Sequence, residues 1–468
     1  MSPLHDLMRC ALRDDQPEKV DKGGGTMKES AYNVYLLDEK EKKGLVFNTM
    51  KRSIVQIDDE VYSLIKDNQI DKIDQDVLDV LKKGNIVVDD NLNELDILKI
   101  MFCRIKFSTS TIGFTLIPTH ACNLACKYCY QGHGEVLHGT MSQDVIKKAI
   151  EFIKKSAGGR RSLGVNFYGG EPLLYPEVIF QVLKEVKAFA DENGMQFSVT
   201  FTSNGTLFTR EIVDKLRDYN WEVQITLCGP EAVHDTIRVD KKGEGTYEKL
   251  MNVISLFREN EVKFHIRVDV DLDNYDTIKS LLEDLKRRGF EGIYMGFCPI
   301  GKDICYTEME RESSEIDPAS LARLSKLAHD MGFLTNPIYI HNFVEGCSAL
   351  VDGFLAIDPQ GDVYKCIAAP NYTEHRIGTL DAEGNLTDMN YESYCAWTLR
   401  DPLHIDECRE CKFSPICGGG CALAAYSKNG SLLSPGCKDE ELGEIIRTYI
   451  MLKYPELFEG CSYETIVL

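Results

Sequence analysis

The chain has no run of 18 apolar residues, so a membrane-spanning helix is not expected. No charged stretch followed by an apolar one opens it, so export is not expected either. It is short of positive charge: 53 lysines and arginines stand against 74 aspartates and glutamates, a formal net charge of −21. Nucleic-acid phosphates need a basic footprint, which this chain does not offer. The acidity reads chiefly as solubility, and a cytoplasmic protein is expected. At 468 residues and 43% apolar content there is room for two or three domains, each with its own core.

Cysteine is what the chain has in plenty, seventeen in all. In a chain that is not exported these point to metal or catalysis rather than to disulfides. Three form a C-x3-C-x2-C run, Cys122, Cys126 and Cys129. Seven more lie late in the chain: Cys347 and Cys366 around Gly361, then Cys408, Cys411, Cys417 and Cys421, then Cys437. Three thiolates on one short loop can hold three irons of a cubane and leave the fourth open to a chelating ligand. Seven more are enough for two further clusters, one of them a ligand short. A zinc site at the first loop would need a fourth protein ligand, which His120 or His133 could supply.

Residues 1–26 read as a flexible extension or tag. Residues 27–106 read as a small winged-helix-like domain. Strands are expected at Tyr32–Leu37 and Leu45–Asn48, helices at Asp59–Asp67 and Asp74–Lys83, and a short returning strand at Ile86–Val88. From residue 113 to about 297 strand and helix alternate. The strands are expected at Phe114–Ile117, Gly164–Tyr168, Phe197–Thr202, Val223–Leu227, Phe264–Val270 and Gly292–Phe297. Among the helices, Ser142–Ser156 starts on a plausible N-cap and Asp276–Arg288 is closed by Gly289. Six such units imply an α/β fold with a parallel sheet and right-handed crossovers, curved into a partial barrel. Ligands then sit at the C-terminal ends of the strands. The Cys122 run falls there after the first strand, Gly169-Gly170-Glu171-Pro172 after the second, and Ser203-Asn204 after the third.

Cys122–Tyr130 resembles the signature of the radical S-adenosylmethionine (radical SAM) superfamily. The resemblance covers residues 113–297 and implies a partial (β/α)6 TIM-like barrel, placed at 107–310. It implies that Cys122, Cys126 and Cys129 hold a reducing [4Fe–4S] cluster and that Tyr128 lies against the adenine of S-adenosyl-L-methionine. By the same resemblance Gly169, Gly170 and Glu171 meet the methionine ammonium, Ser203 and Asn204 the ribose or carboxylate, and Arg267 a carboxylate. The late cysteines resemble a SPASM domain, placed at 341–468 after a bridging helical region at 311–340. That implies one auxiliary [4Fe–4S] cluster on Cys408, Cys411, Cys417 and Cys437, and another on Cys347, Cys366 and Cys421. The three-cysteine cluster leaves its fourth ligand open, since His341 stands where sulfatase-maturing relatives carry a cysteine. His341, Cys298 or Cys305 would be candidates, or a substrate thiolate on an open iron.

Two departures from the relatives are informative. Ile367 stands where sulfatase-maturing enzymes carry a basic aspartate, which counts against that activity. Cys228-Gly229-Pro230 stands where relatives read Asp-Gly-Pro, with Arg238 following, so Cys228 and Arg238 are candidate catalytic residues. The small N-terminal domain resembles the leader-recognition modules of maturases of ribosomally made peptides, which capture a leader as an added strand. The expected activity is hydrogen abstraction from a precursor peptide by a 5′-deoxyadenosyl radical, to install a crosslink, with a Cys thioether favoured. A carbon–carbon crosslink, a sulfatase-type formylglycine maturase and a non-enzymatic metal scaffold are the alternatives. The expected partners are a leader-bearing peptide and a low-potential electron donor such as flavodoxin or ferredoxin.

Overall fold

The structure, a computed structural model, describes residues 26–38, 43–129, 131, 137–300, 316–335, 347–437, 439–454 and 465–467. The expectations placed on His133, Cys305 and His341 lie outside the described residues.

The dominant feature is a sheet of eleven strands. Its centre is six parallel strands in chain order: β6 (Thr111–Leu116), β7 (Ser162–Phe167), β8 (Gln196–Thr202), β9 (Trp221–Leu227), β10 (Lys263–Val270) and β11 (Tyr294–Pro299). These are the six expected strands, each within three residues of its predicted bounds. Helices on the crossovers cover them. Gln143–Ala157 starts where Ser142 accepts a hydrogen bond from the Val145 N–H, a cap worth about 1 kcal/mol. Leu163, Val165, Val199, Phe201, Val223, Ile225, Ile266 and Val268 are all fully buried, or nearly so, beneath those helices. Each such side chain contributes about 1.5–3 kcal/mol.

The sheet does not end with the six units. Beyond β11 lies short β12 (Leu334–Thr335), after the helix Pro318–Asp330. On the other side β13 (Phe354–Ile357) pairs in parallel with β6 and leads into an antiparallel run of β14 (Asp362–Tyr364), β15 (Gly378–Leu380) and β16 (Leu386–Thr387). The cysteine-rich region is thus built directly onto the barrel sheet. Gly113 makes this possible, because a Cβ there would stand 2.3 Å from the Phe354 ring.

The N-terminal module carries β1 (Met27–Glu29), β2 (Asn33–Asp38), β3 (Lys43–Asn48), β4 (Ser53–Asp58) and β5 (Val87–Asp89). Its helices are α1 (Asp59–Lys66), α2 (Gln75–Lys83) and α3 (Glu94–Lys106). β2, β3 and β4 form an antiparallel meander, and β1 pairs with β5. The expected hairpin is present, while β1, β4 and α3 extend the reading. One face of the meander (Val46, Val55, Ile57) packs on α1 and α2. The other (Leu45, Phe47, Ile54) packs on Phe413, Ile416, Ile446 and Ile450. The module is therefore docked on the late-cysteine region. Residues 465–467, β17, pair antiparallel with β4 and complete a four-stranded sheet.

Candidate functional site

The cysteine loop leaves β6 and is stapled at two places. Lys127 N–H donates to the Ile237 carbonyl and Ala125 N–H to that of Val239. Arg238 is thereby fixed beside the thiols. Its Nη1 donates to the Tyr128 hydroxyl at 2.7 Å, and that hydroxyl lies 3.1 Å from Cys228 Sγ. Cys228 is fully buried at the end of β9. The two candidate catalytic residues therefore form one buried network with Tyr128.

The other rim motifs close around the same loop. The Gly169-Gly170 backbone lies directly on residues 119–121: Gly170 N–H donates to the Thr119 carbonyl and Glu171 N–H to that of Ala121. Gly169 has a φ of +128°, and a Cβ on it would meet the Thr119 oxygen at 2.3 Å. A Cβ on Gly170 would stand 2.1 Å from the Ala121 oxygen. These glycines are required for the approach of one loop to another.

Glu171 is fully buried. Its carboxylate accepts from Leu173 N–H, from Ser203 Oγ at both oxygens, and from Asn204 N–H at 2.8 Å. Three donors, one of them a hydroxyl lying between both oxygens, thus converge on one carboxylate. Within the protein the side chain is a strut between two rim loops, and Ser203 is its main contact. Burial pushes Glu171 up to about 7 despite these bonds. Asn204 reaches further: its Nδ2 donates to Asn123 Oδ1 at 2.8 Å and lies 3.7 Å from Cys122 Sγ. Arg267, expected to take a carboxylate, has one in the protein, Asp269, at 2.5 Å from its Nε. Asp269 is buried, in register with Cys298 of the next strand.

Replacing Glu171 with leucine strands two backbone N–H groups and a hydroxyl in the interior, at about 1–3 kcal/mol each. The denaturation midpoint of the barrel should fall accordingly, as followed by far-UV circular dichroism in urea. An unchanged midpoint would remove the strut role.

The ten cysteines gather into three groups. Cys122 feels the thiols of Cys126 and Cys129. Cys366 feels Cys347 and Cys421. Cys408 feels Cys417, Cys411 and Cys437. In each group the thiols lie near enough to act on one another through space. Burial pushes Cys122 and Cys408 up to about 12, so bare thiols in these places resist ionisation. Iron ligation is what would ionise them, since a coordinating thiol is deprotonated outright. Arg238 supports that fit: it is buried, its Nε has no hydrogen-bond partner among the described residues, and the Cys126 thiol acts on it. Among the described residues no three His, Cys, Asp or Glu side chains close on a single metal-ion position.

The late loops owe their shape to glycine and to one arginine. Gly418, Gly419 and Gly420, between Cys417 and Cys421, have φ of 61°, 80° and 72°. A Cβ on Gly420 would stand 2.0 Å from the Gly436 oxygen. Arg400 is fully buried and donates to the carbonyls of Leu432, Gly418, Gly419 and Ser434. Sequence reading passed over Arg400, Lys365 and Asp269, which no motif marks, and Asn123, which lies inside the cysteine run but is not one of its thiols.

Comparison with known proteins agrees with this geometry. Residues 116–285 match the sequence model of the Radical SAM superfamily. The chain carries a radical SAM domain and is an enzyme of that class, which implies an iron–sulfur cluster. It is 26% identical over 333 residues to a serine-type anaerobic sulfatase-maturating enzyme of Klebsiella aerogenes, covering 68% of this chain and 80% of the relative. It is 22% identical over 431 residues to the radical SAM cyclopropyl synthase TigE of Paramaledivibacter caminithermalis, covering 83% and 88%. Its fold is similar to that of Streptococcus suis SuiB, solved bound to the precursor peptide SuiA, with a TM-score of 0.51, 16% identity and coverage of 88% and 99%. The α/β fold with its large parallel sheet is thus that of radical SAM enzymes. Among the described residues no helix is long and apolar enough to cross a membrane.

Proposed function

We propose that this enzyme is a peptide maturase that abstracts hydrogen from a ribosomally made precursor peptide and installs a crosslink, with a Cys thioether favoured. The observation that carries it is the gathering of ten cysteines into three groups, one on the barrel rim, one beside the strands that extend the same sheet, and one in the short helices and loops that follow. We read these as the sites of three [4Fe–4S] clusters, of which the auxiliary pair would accept the electron released, with loss of the thiol proton, as the carbon–sulfur bond forms. When bound, the rim cluster and S-adenosyl-L-methionine supply a one-electron cleavage that gives a 5′-deoxyadenosyl radical. The chain's own work is positioning and exclusion of water. Gly169, Gly170 and Glu171 hold the rim loops at fixed spacing, and Asn204 ties the Cys122 loop to the third strand. Tyr128, Arg238 and Cys228 close the floor. Cys228 has a thiol hydrogen within hydrogen-bond reach of Tyr128, so the pair can pass a hydrogen without water. The electrons would come from a low-potential donor of the flavodoxin or ferredoxin kind.

The relatives bracket the substrate. SuiB was solved with a precursor peptide, and the sulfatase-maturating relative is named for its protein target. Two features favour the peptide. Ile367, following Cys366, packs in an apolar cluster with Trp397 and Ala349, so it offers no base where the sulfatase-maturing chemistry has one. The β4 edge also already accepts an extended chain, residues 465–467. A leader adding as a strand would take that edge in their place, with affinity from backbone pairing.

Anaerobic co-expression with a short Cys-bearing precursor peptide, read by intact mass, tests this. The expected product is lighter by two hydrogens and no longer alkylatable at sulfur. The same loss with a free thiol would mean a carbon–carbon link. An unchanged peptide beside active cleavage of S-adenosylmethionine would overturn the peptide reading and favour the formylglycine one.

A further inference from the structure

Three cations are buried around the late cysteines, and among the described residues none forms an ion pair. Arg400 spends its donors on four carbonyls, those of Leu432, Gly418, Gly419 and Ser434. Lys365, next to Cys366, gives its three protons to the carbonyls of Val351, Asp352 and Phe354. Lys106, the last residue of α3, donates to the Arg400 carbonyl at 2.5 Å. Their relative exposures are 0%, 3% and 5%. Carbonyls satisfy donors without a contacting counter-charge, and a buried charge without an ion-pair partner is expensive.

The groups that act on Arg400 through space are Cys408, Cys421, Cys347 and Cys417, drawn from both late sets. Asp352 and Cys347 act on Lys365, and Asp401 and Cys103 on Lys106. Lys106 lines one cavity with Cys347, Cys417 and Cys421, walled by Phe102, Ile105, Leu350 and Val351. The carbonyls Arg400 holds belong to the loops between Cys417 and Cys437. A Cβ on Gly419 would stand 2.9 Å from Pro402 Cβ and 3.0 Å from Arg400 Nη1.

We propose that Arg400 is the positioning residue of both auxiliary clusters, fixing the loops that carry Cys417, Cys421 and Cys437, and that Arg400, Lys365 and Lys106 together supply the positive charge that keeps those clusters easier to reduce. This rests on reading the late cysteines as cluster ligands. Positive charge near a cluster favours its more negative, reduced state, so removing a cation shifts the midpoint potential downward. The charge from α3 also ties the N-terminal module to that electronic setting.

The full chain, reconstituted anaerobically with iron and sulfide, provides the test. Wild-type protein should hold about twelve irons, four for each cubane. Lys365→Met and Lys106→Met keep that content, while the auxiliary signals in a redox titration followed by electron paramagnetic resonance move to lower potential. The rim cluster's midpoint stays in place. Arg400→Lys keeps the charge and loses the fork, so about four or more irons are lost with the auxiliary signals. Full iron in Arg400→Lys, or unmoved midpoints in both lysine variants, overturns the proposal. A wild-type content of about four irons would instead remove the reading of the late cysteines on which it stands.

Discussion

Cys126→Ala is expected to abolish the formation of 5′-deoxyadenosine by the reconstituted chain and to remove about four of its irons, one cubane's worth. Cys126 is the most buried thiol of its loop, and Cys129 and Arg238 both act on it. A cubane held by three thiolates on one loop has no reserve. The described residues place no further cysteine of the loop within reach, and Asn204 and Tyr128 offer only an amide and a phenol. The companion variant is Cys228→Ala. Cys228 is equally buried and shares Tyr128 and Arg238, but it sits at the end of β9 rather than in the loop. It should retain the irons and still cleave S-adenosylmethionine. Whether it still modifies the peptide then separates a hydrogen-relay role from plain packing. Anaerobic iron analysis and quantification of 5′-deoxyadenosine read both variants, and full cleavage by Cys126→Ala would sink the assignment of the loop.

The same contrast explains what the sequence revealed. The six barrel strands were legible because most alternate apolar with polar residues between turn residues, and because helices of clear amphipathic period lie between them. β4 was not, since Ser53 to Ile57 are buried on both faces and give no alternation. β13 to β16 are two to four residues long, too short for any period to register. The cysteine sets were legible by spacing alone, because a cluster must be wrapped by short loops. The roles of the other rim residues were not. A Gly-Gly-Glu-Pro stretch announces a tight loop, but only coordinates show that its glycines face the Thr119–Ala121 backbone and that its carboxylate faces Ser203 and Asn204. Arg400 and Lys365 look like surface charges in a sequence, since nothing local signals that their donors end on carbonyls of distant loops.

That contact between glycines and the cysteine loop yields the other large effect. In Gly170→Ala the new methyl would stand 2.1 Å from the Ala121 oxygen and 2.4 Å from the His120 oxygen. Both are backbone atoms, anchored by β6 on one side and by the Ile237–Val239 staples on the other, so neither can yield as a side-chain tip would. The loops must part, which removes the bonds from Gly170 N–H to Thr119 and from Glu171 N–H to Ala121, at about 1 kcal/mol each. It also drags Cys122, one residue on, out of its group. We expect S-adenosylmethionine binding to weaken at least about tenfold, the equivalent of 1.4 kcal/mol, with loss of rim-cluster iron and retention of the auxiliary irons. Gly164→Ala is the control in the same sheet. There the nearest neighbour to a Cβ is Ser198 Oγ at 3.6 Å, and the backbone is ordinary strand. It should bind as the wild type does and be slightly more stable, because alanine loses less conformational freedom on folding than glycine. Equal affinity in Gly170→Ala and Gly164→Ala, measured by equilibrium binding under anaerobic conditions, would mean that the rim loops do not set the ligand's seat.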